Sequence, residues 1–355
     1  MKDLLFAFNC IEENSRHGLL GECAGPHTVE LLHQTLHAAG HRVWPINVQS
    51  PEQLTSYLQT IPRPVMAFVY AEGFIQQPET LWNGAGQSLL REILSQHHIP
   101  STHSTAEVMQ LCRHKHLTST RLAAFGLPVP PFITGTPSRF LLSREEPALD
   151  FPLFVKPASG GASLGIDESS VVFNQSQLKR KIELLYQQLG DLPVIIETYL
   201  PGREYTVGVI GNEIKYVLPP MAFSPETGIR DLERKRNPLD NSWEFLAPGD
   251  PRWHRIVSLA HAAFDALKAS DVVRIDLKED RHGNIHIIDV NGTPALGANA
   301  SLVAMAEYID ISYTQLISTI LKSSYERHRL DPPGRLLELA AEGIDKLISY
   351  ATLVA

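Results

Sequence analysis

The 355 residues are enough to bury a substantial core, and the 43% hydrophobic and 20% charged content is typical of a globular protein rather than a disordered one. The 31 Lys and Arg against 39 Asp and Glu give a net charge of −8, which disfavours nonspecific binding to nucleic acid or to an anionic membrane. The three scattered cysteines indicate neither a disulfide framework nor a zinc site. No apolar run approaches the ~20 residues of a membrane span, so we expect a cytoplasmic protein.

The first hundred residues alternate strand-like and helix-like patterns. Strands are predicted at 4–8, 42–48 and 65–69, and helices at 28–39 and 86–96. This alternation is typical of βαβ units that build a small parallel sheet. We therefore expect a first lobe over residues 1–103.

A second lobe is predicted over residues 104–203. A helical stretch that starts near residue 105 ends at Gly126, and the segment 127–131 that follows contains three prolines. Proline disfavours helix in the residue before it, so this segment is expected to run extended. Strand patterns then follow at 151–156, 171–173 and 194–198, with a helix at 176–189.

A third lobe is predicted over residues 204–325. Two β-rich runs flank Gly211 and Asn212, which is a hairpin signal. Residues 221–250 mix proline, glycine and charge without apolar periodicity, which predicts a long functional loop. Beyond it we expect a helix at 252–269, strands at 272–277 and 285–290, a helix from 302, and an extension over 326–355 with a helix at 335–350.

Three segments carry residue types suited to chemistry. In the first, Lys156 ends a predicted strand and a glycine-rich turn, residues 160–165, follows it. Backbone N–H groups and one ammonium there can clamp a phosphate, although an ordinary β-turn is the alternative. The segment lacks both the G-K-[ST] ending of a P-loop and the G-x-G-x-x-G of a dinucleotide fold.

The second segment runs from 194 to 205. Glu197 and Glu204 can accept hydrogen bonds from a purine amino group and a ribose hydroxyl, while Leu200 packs on the base. The alternative is a strand, a Pro-Gly turn and two solvated glutamates.

The third segment covers two predicted strands. Alternation places Arg274 and Asp276 on one face of the first strand, and Asp289 and Asn291 on one face of the second. Three oxygen-bearing side chains can therefore converge, and oxygen ligands suit Mg²⁺. A structural polar network is the alternative.

Together and in this order, the three segments resemble the D-alanine:D-alanine ligase branch of the ATP-grasp family, from about residue 104 to residue 321. The resemblance implies an α/β ATP-grasp fold, with a Rossmann-like N-terminal lobe and two lobes that clasp the nucleotide. It also implies a homodimer.

The resemblance further implies which residues bind ATP, Mg²⁺ and substrate. The implied nucleotide contacts are Lys115, Lys156, Gly161, Ser163, Glu197, Tyr199, Leu200, Glu204 and Lys235. The implied magnesium ligands are Asp276, Asp289 and Asn291. Arg274 and Ser301 match the residues that bind the carboxylate of the incoming amino acid, and Lys156, Lys235 and Arg274 are the expected catalytic residues. For Lys235, a solvated charge run is the alternative.

Several positions depart from the family pattern. Ala162 and Arg236 stand where cell-wall ligases have a serine and a tyrosine that surround the first D-alanine, together with an N-terminal glutamate. Glu72 lies in the segment that replaces the family's His-Gly motif, and Asp289 replaces a longer glutamate. The N-terminal glutamate has three candidates, Glu12, Glu13 and Glu22.

The pattern predicts a ligase that uses ATP to phosphorylate a small-molecule acid, or an enolised oxo group, and joins it to the amine of an amino acid. Because the amino-acid site looks kept and the acid site looks rebuilt, the leading interpretation is a specialised ligase of secondary metabolism, such as a mycosporine-type ligase. The alternatives are a cell-wall D-alanine:D-alanine ligase and an ATP-binding kinase or nucleotide sensor. Arg274 and Ser301 favour a ligase over a kinase, because a kinase needs no amino-acid carboxylate site.

Overall fold

The computed structural model describes residues 1–142, 147–161, 164–223 and 243–353. The strands in these ranges are β1 Lys2–Phe8, β2 His41–Asn47, β3 Met66–Tyr70, β4 Phe132–Gly135, β5 Leu153–Pro157, β6 Val171–Val172, β7 Val194–Thr198, β8 Glu204–Gly211, β9 Lys215–Val217, β10 Met221–Phe223, β11 Trp243–Phe245, β12 Asp271–Glu279 and β13 Ile285–Asn291. The helices are α1 Pro26–Ala38, α2 Pro51–Thr60, α3 Pro78–Trp82, α4 Ala85–Gln96, α5 Ala106–Arg113, α6 Lys115–Ala124, α7 Pro137–Leu142, α8 Gln175–Leu189, α9 Pro251–Leu267, α10 Ser301–Glu307, α11 Tyr313–Arg327 and α12 Gly334–Leu353.

The N-terminal sheet is parallel, in the order β2-β1-β3. Its central strand is apolar on both faces because both faces are covered. Leu4 and Phe6 enter a core shared with the C-terminal helices, including Leu336 of α12. Leu5 faces the opposite way, into a separate core. The C-terminal extension therefore packs as part of the core of the first lobe.

The second sheet is antiparallel, in the order β4-β7-β5-β6. Val155 and Ile196 point into a core with Leu178 and Ile182 of α8. Since successive side chains of a strand point to opposite faces, the residue after Val155 is directed away from that core. This alternation aims polar side chains of β5 and β7 toward the rest of the molecule.

The third sheet has the order β11-β10-β8-β12-β13, with β9 also paired to β8. Val207 and Ile275 pack one of its faces against Phe264 of α9. Val108 of α5 and Leu122 of α6 belong to the same hydrophobic core, so these two helices are joined to the third sheet by packing. The lobe boundaries drawn from the sequence remain a prediction.

The α/β fold class is confirmed, whereas some element predictions were wrong. Within the predicted loop 221–250, β10 and β11 form an antiparallel pair, and 224–242 lies outside the described residues. The helix α2 was not predicted, and the single helical stretch expected up to Gly126 is two helices that meet at His114. None of the helices in the described ranges combines the length and apolar character needed to cross a bilayer.

An ion pair ties the start of β12 to the end of α11. Asp271 is fully buried and accepts hydrogen bonds from Arg327 Nε at 3.0 Å and Nη2 at 2.7 Å. Arg327 also donates to the carbonyls of Ser101 and His103, at the end of the predicted first lobe. Because a buried charge needs a counter-charge, this pair fixes the position of the N-terminal lobe relative to the third sheet.

We predict that Asp271→Asn lowers the free energy of unfolding by roughly 3 kcal/mol, because Arg327 then keeps a buried charge without its anion. Asparagine tolerates the left-handed backbone at this position, where φ is +64°, so the change isolates the charge. Asp265→Asn in the exposed Lys215–Asp265 pair is the control and should cost less than about 1 kcal/mol. Urea denaturation measures both, and equal losses would contradict the proposed role of the pair.

Candidate active site

A buried ion pair marks the face of the second sheet that looks toward β13. Lys156 Nζ donates to Glu197 Oε1 at 2.7 Å, and the two residues are 5% and 6% exposed. Phe154 pairs with Glu197 in the antiparallel register, which puts Lys156 diagonally beside the carboxylate on the same face. Lys156 Nζ also lies 3.5 Å from the carbonyl oxygen of Ile288, so it reaches the third sheet.

A second lysine approaches the same place from helix α6. Lys115 Nζ donates to the Gly160 carbonyl at 2.6 Å and lies 3.8 Å from Asp289 Oδ2. Burial lowers the pKa of Lys115. Lys115 and Lys156 thus contact neighbouring residues of β13, Asp289 and Ile288, although they come from different elements. The resulting cluster holds two ammonium groups and the two carboxylates of Glu197 and Asp289.

Across β12 and β13, the predicted substrate and metal residues form two facing pairs. Arg274 pairs with Asn291 and Asp276 with Asp289 in the register, so all four side chains share a face of the sheet. Arg274 donates from Nε and Nη2 to the two oxygens of Asp276 at 2.9 and 2.8 Å. Burial acts to lower the pKa of Arg274, but the carboxylates of Asp276, Asp289 and Glu204 act together in the opposite direction and the pKa is raised. Arg274 therefore stays a cation.

Asp276, Asp289 and Asn291 are the predicted Mg²⁺ ligands. Two carboxylates and an amide supply the oxygen ligands that this ion prefers, and Asp289 and Asn291 line a cavity. Asp276 lies behind them, with both oxygens engaged by Arg274 and one also accepting from Thr206 at 2.6 Å. Within the described ranges, no three His, Cys, Asp or Glu side chains form a metal-binding group. The donor types fit the ion, with asparagine completing the set.

The cavity has a volume of about 630 Å³ and lies between the first lobe and the ends of β12 and β13. Glu22 and Glu72 line it from the first lobe, and Arg274 lines it from the third sheet. Ala300, which precedes α10, closes another side, and the neighbouring Ser301 begins that helix. Of the two predicted amino-acid carboxylate contacts, Arg274 thus lines the cavity and Ser301 follows a residue that does.

The predicted adenosine contacts follow β7 and are absent from the described lining of the cavity. Leu200 is 5% exposed, and Tyr199 is half-buried, which raises the pKa of its hydroxyl. Glu204 begins β8 and lies 3.4 Å from Lys278. Glu197 connects these residues to the lysine cluster through its bond to Lys156. The role of these residues in binding adenosine stays a prediction.

Comparisons with known proteins identify the family of this chain. A family model described as the C-terminus of D-Ala–D-Ala ligase matches residues 122–322, more than half of the chain. The D-alanine–D-alanine ligase of Haemophilus influenzae is 30% identical over 246 residues, covering 68% of this chain and 80% of the relative. The chain belongs to the D-alanine–D-alanine ligase family. It is an ATP-dependent carbon–nitrogen ligase of the ATP-grasp type.

Further relatives agree with this assignment. The D-alanine–D-alanine ligase of Actinobacillus succinogenes is 29% identical over 248 residues, covering 68% of this chain and 77% of its own length. Among solved structures, the Bacillus anthracis D-alanine–D-alanine ligase complexed with ATP superposes with a TM-score of 0.68 at 18% identity, covering 93% of this chain and 99% of that one. The VanG D-Ala:D-Ser ligase of Enterococcus faecalis has a TM-score of 0.69 at 18% identity, covering 91% and 99%. The ATP-grasp fold of the ligase family is thereby established.

Some residues singled out in the sequence lie outside the described part of the chain. These are Ala162, Ser163, Lys235 and Arg236. Of the three glutamates considered for the acid subsite, Glu13 and Glu22 line the cavity, whereas Glu12 is absent from the described lining.

Arg113 was missed by the reading of the sequence. It ends α5, two residues before Lys115, and its guanidinium contacts the carboxylates of both Glu22 and Glu72. Burial raises the pKa of the Glu72 carboxyl, while Arg113 acts in the opposite direction. In the sequence, the only signal for Arg113 is its position two residues before Lys115, a predicted phosphate contact.

Gly160 lies in the predicted glycine-rich turn, but the sequence did not predict its packing against the first lobe. Its φ is +84°, and a Cβ at this position would lie 2.3 Å from the ring of Trp82 in α3. Its carbonyl accepts the Lys115 hydrogen bond. The turn thus needs glycine for its backbone conformation and for its close approach to the first lobe.

We predict that Gly160→Ala raises the KM for ATP at least about tenfold, because the rigid Trp82 ring forces the turn and the Lys115 contact to shift. Gly126→Ala is the matched control: its φ is +74°, but nothing lies within 4 Å of the added Cβ. The control should lose about 1 kcal/mol of stability from backbone strain and keep its KM. Steady-state kinetics at saturating co-substrates separate the two results, and an unchanged KM in Gly160→Ala would contradict the role of the turn.

Proposed function

We propose that the protein phosphorylates a small-molecule acid with ATP and couples it to the amine of an amino acid. The observation that carries this proposal is the convergence of Lys115, Lys156 and Asp289 between two sheets, next to a cavity that reaches Arg274. Such a cluster suits a triphosphate at one end and an anionic substrate at the other.

In this proposal the nucleotide lies along the second sheet. Lys115 and Lys156 bind its phosphates together with the turn at Gly161, and Lys235 and Ser163 add contacts from outside the described residues. The adenosine end is held by Glu197, Tyr199, Leu200 and Glu204. The solved Bacillus anthracis relative in complex with ATP supports the choice of nucleotide.

Asp276, Asp289 and Asn291 are proposed to hold Mg²⁺. When bound, the ion would neutralise charge on the phosphates. Asp289 is one methylene shorter than the family's usual glutamate, and its Oδ1 accepts a hydrogen bond from the backbone N–H of Val290 at 3.1 Å. This bond fixes the direction of the carboxylate.

The proposed reaction has two steps. A carboxylate oxygen of the acid attacks the γ-phosphorus of ATP, the bond to ADP breaks, and an acyl phosphate forms. The amine of the amino acid then attacks the acyl carbon, phosphate leaves with the bonding pair, and the nitrogen loses one proton as the amide forms. Arg274 and Ser301 hold the carboxylate of the incoming amino acid and orient its amine. The protein thus acts through position and charge, without a side-chain nucleophile.

Two substrate classes are candidates. The names of the relatives favour D-alanine as both acid and amine, as in cell-wall ligases. Ala162 and Arg236, which replace the serine and tyrosine around the first D-alanine, favour a different acid and a specialised ligase of the mycosporine type. We also propose that the protein is a cytoplasmic homodimer. Its three lobes are proposed to span residues 1–103, 104–203 and 204–325, followed by an extension over 326–355.

We expect ADP release to require both an acid and an amino acid. Purified protein, ATP and Mg²⁺ are mixed with each member of a panel of acids and amino acids, including D-alanine alone, and product masses are recorded. A ligase gives an amide whose mass is the sum of both substrates less water. An acyl phosphate or phosphorylated acid that accumulates equally without an amine would instead indicate a kinase.

Lys156→Ala and Asp289→Ala should each lower kcat by at least about 10³-fold, because the first removes a cation placed to stabilise phosphoryl transfer and the second removes a proposed magnesium ligand. Lys181→Ala is the matched control, since Lys181 is also a buried lysine of the second lobe but pairs with Asp167 away from the cavity. The control should be less stable and keep its kcat per folded molecule. Near-normal turnover in either of the first two variants would refute the site assignment.

A further inference from the structure

A tyrosine hydroxyl lies at the wall of the cavity, beside the segment that leads to α10. Tyr70 is the last residue of β3, and it lines the same cavity as Arg274. Its oxygen accepts a hydrogen bond from the backbone N–H of Leu296 at 3.0 Å. Because Ala295 and Gly297 on either side of Leu296 also line the cavity, the hydroxyl is held at the cavity wall.

The bond to Leu296 leaves the proton of Tyr70 available to a ligand. A backbone N–H can only donate, so the Tyr70 oxygen is the acceptor and its own O–H still needs an acceptor. Among the residues that the structure describes, the Tyr70 O–H donates to no other group. Burial raises the pKa of this hydroxyl, so it keeps its proton at neutral pH. Tyr70 therefore offers a neutral hydrogen-bond donor to a molecule in the cavity.

A second tyrosine holds the same peptide from outside the cavity. Tyr313 of α11 donates from its hydroxyl to the carbonyl oxygen of Leu296 at 2.8 Å, and it is absent from the described lining of the cavity. The side chain of Leu296 is fully buried. Packing and two hydrogen bonds thus fix the peptide that Tyr70 contacts, so the position of the Tyr70 hydroxyl is set before a substrate binds.

Tyr70 lies outside the phosphate end of the cavity. A small recess at that end is lined by Lys115, Gly161 and Asp289, which belong to the proposed phosphate and metal site. Tyr70 and Leu296 are both absent from the described lining of this recess. The Tyr70 donor is therefore placed for a part of the substrates other than the phosphoryl group.

The segment held by Tyr70 leads directly into the proposed amino-acid site. The carbonyl of Gly297 accepts a hydrogen bond from the backbone N–H of Ala300 at 2.8 Å, which folds this stretch into a tight turn. Ser301 follows the turn as the first residue of α10. Leu296 and Ser301 thus lie at the two ends of one turn, and the Tyr70 hydroxyl is on the side of the cavity where the amino acid is proposed to bind.

Arg274 alone does not satisfy the carboxylate of an amino acid. Its Nε and Nη2 already donate to the two oxygens of Asp276, at 2.9 and 2.8 Å. A carboxylate has about four lone-pair sites, so a partly engaged guanidinium and the hydroxyl of Ser301 leave acceptor capacity unused. This end of the cavity has a use for one more donor, and a neutral donor supplies it without adding charge.

We propose that Tyr70 binds the carboxylate of the incoming amino acid through its O–H, as a third contact beside Arg274 and Ser301. A donor that is fixed by Leu296 and Tyr313 gives the carboxylate one preferred direction, and the neighbouring amine is oriented with it. The inference rests on the proposed ligase function and adds a residue to its amino-acid site.

The first test removes the hydroxyl and keeps the ring. In Tyr70→Phe, we expect the KM for the amino acid to rise at least about tenfold, because a hydrogen bond to a charged oxygen is lost. The KM values for ATP and for the acid should stay unchanged. Initial rates of amide formation are measured with alanine or serine as the varied amine, at saturating ATP, Mg²⁺ and acid. Since KM does not depend on the fraction of molecules that fold, a loss of stability does not imitate this result.

An unchanged KM for the amino acid, or a rise confined to the KM for the acid, overturns the inference and leaves the ligase function standing. If the wild-type protein itself forms no amide with any amino acid, the ligase function fails, and the inference fails with it.

A second test asks whether the contact is made to the carboxylate. Alanine and serine are compared with ethylamine and ethanolamine, which keep the amine and the side chain but lack the carboxylate. Tyr70→Phe should lower kcat/KM for the two amino acids at least about tenfold and leave kcat/KM for the two simple amines unchanged. Equal losses for both classes would mean that the hydroxyl acts on another group, and would overturn the assignment.

Tyr313→Phe is the matched control, because it removes a hydroxyl from the same Leu296 peptide but takes no donor out of the cavity. Leu296 is fully buried, so packing keeps the peptide in place in both variants. The control should be less stable, with a KM for the amino acid close to that of the wild type. A rise in KM as large as that in Tyr70→Phe would show that the effect passes through the position of Leu296, and Tyr70 would not be a substrate contact.

Discussion

The site depends on a buried lysine whose positive charge lies against a buried carboxylate. Removing Lys156 from water costs several kcal/mol, and the 2.7 Å contact with Glu197 offsets that cost without making the pair a strong source of stability. An apolar pair of the same volume would stabilise the sheet as well or better. The retention of two opposite charges in this position therefore points to use by a ligand, which replaces water as their environment when it binds.

The alternation of strand faces makes this arrangement possible. Val155 and Ile196 fill the core of the second sheet, and their neighbours Lys156 and Glu197 are turned away from it. The third sheet shows the same alternation. Ile275 lies in the core, and its neighbours Arg274 and Asp276 lie on the opposite face, where they pair with residues of β13. Two sheets thus present their polar faces toward one another, and the charges of each are available to a molecule bound between them.

The same alternation explains what the sequence predicted well. Period-two patterns predicted the long strands and the common face of Arg274, Asp276, Asp289 and Asn291. They failed for β10 and β11, because strands of three residues hold their place through pairing with β8 and with each other rather than through a pattern of their own. Arg113 also escaped notice, since the contact with Glu22 joins residues 91 positions apart and no local pattern encodes such a distance.

The nucleotide end and the acid end of the proposed site differ in the same way, since one is built on strands and the other is not. The proposed nucleotide end is supplied largely by strand positions whose direction is fixed by the sheet, so changing them would disturb the core beneath. The proposed acid end is supplied by segments outside regular strands and by the end of α5, where Arg113 contacts Glu22 and Glu72 and is also held by the carbonyls of Leu81 and Trp82. Such contacts can be exchanged while the sheets stay intact, since loops tolerate replacement better than strands do. A family that keeps its phosphate chemistry can for this reason acquire a new acid by rebuilding one wall of the cavity while its sheets stay intact.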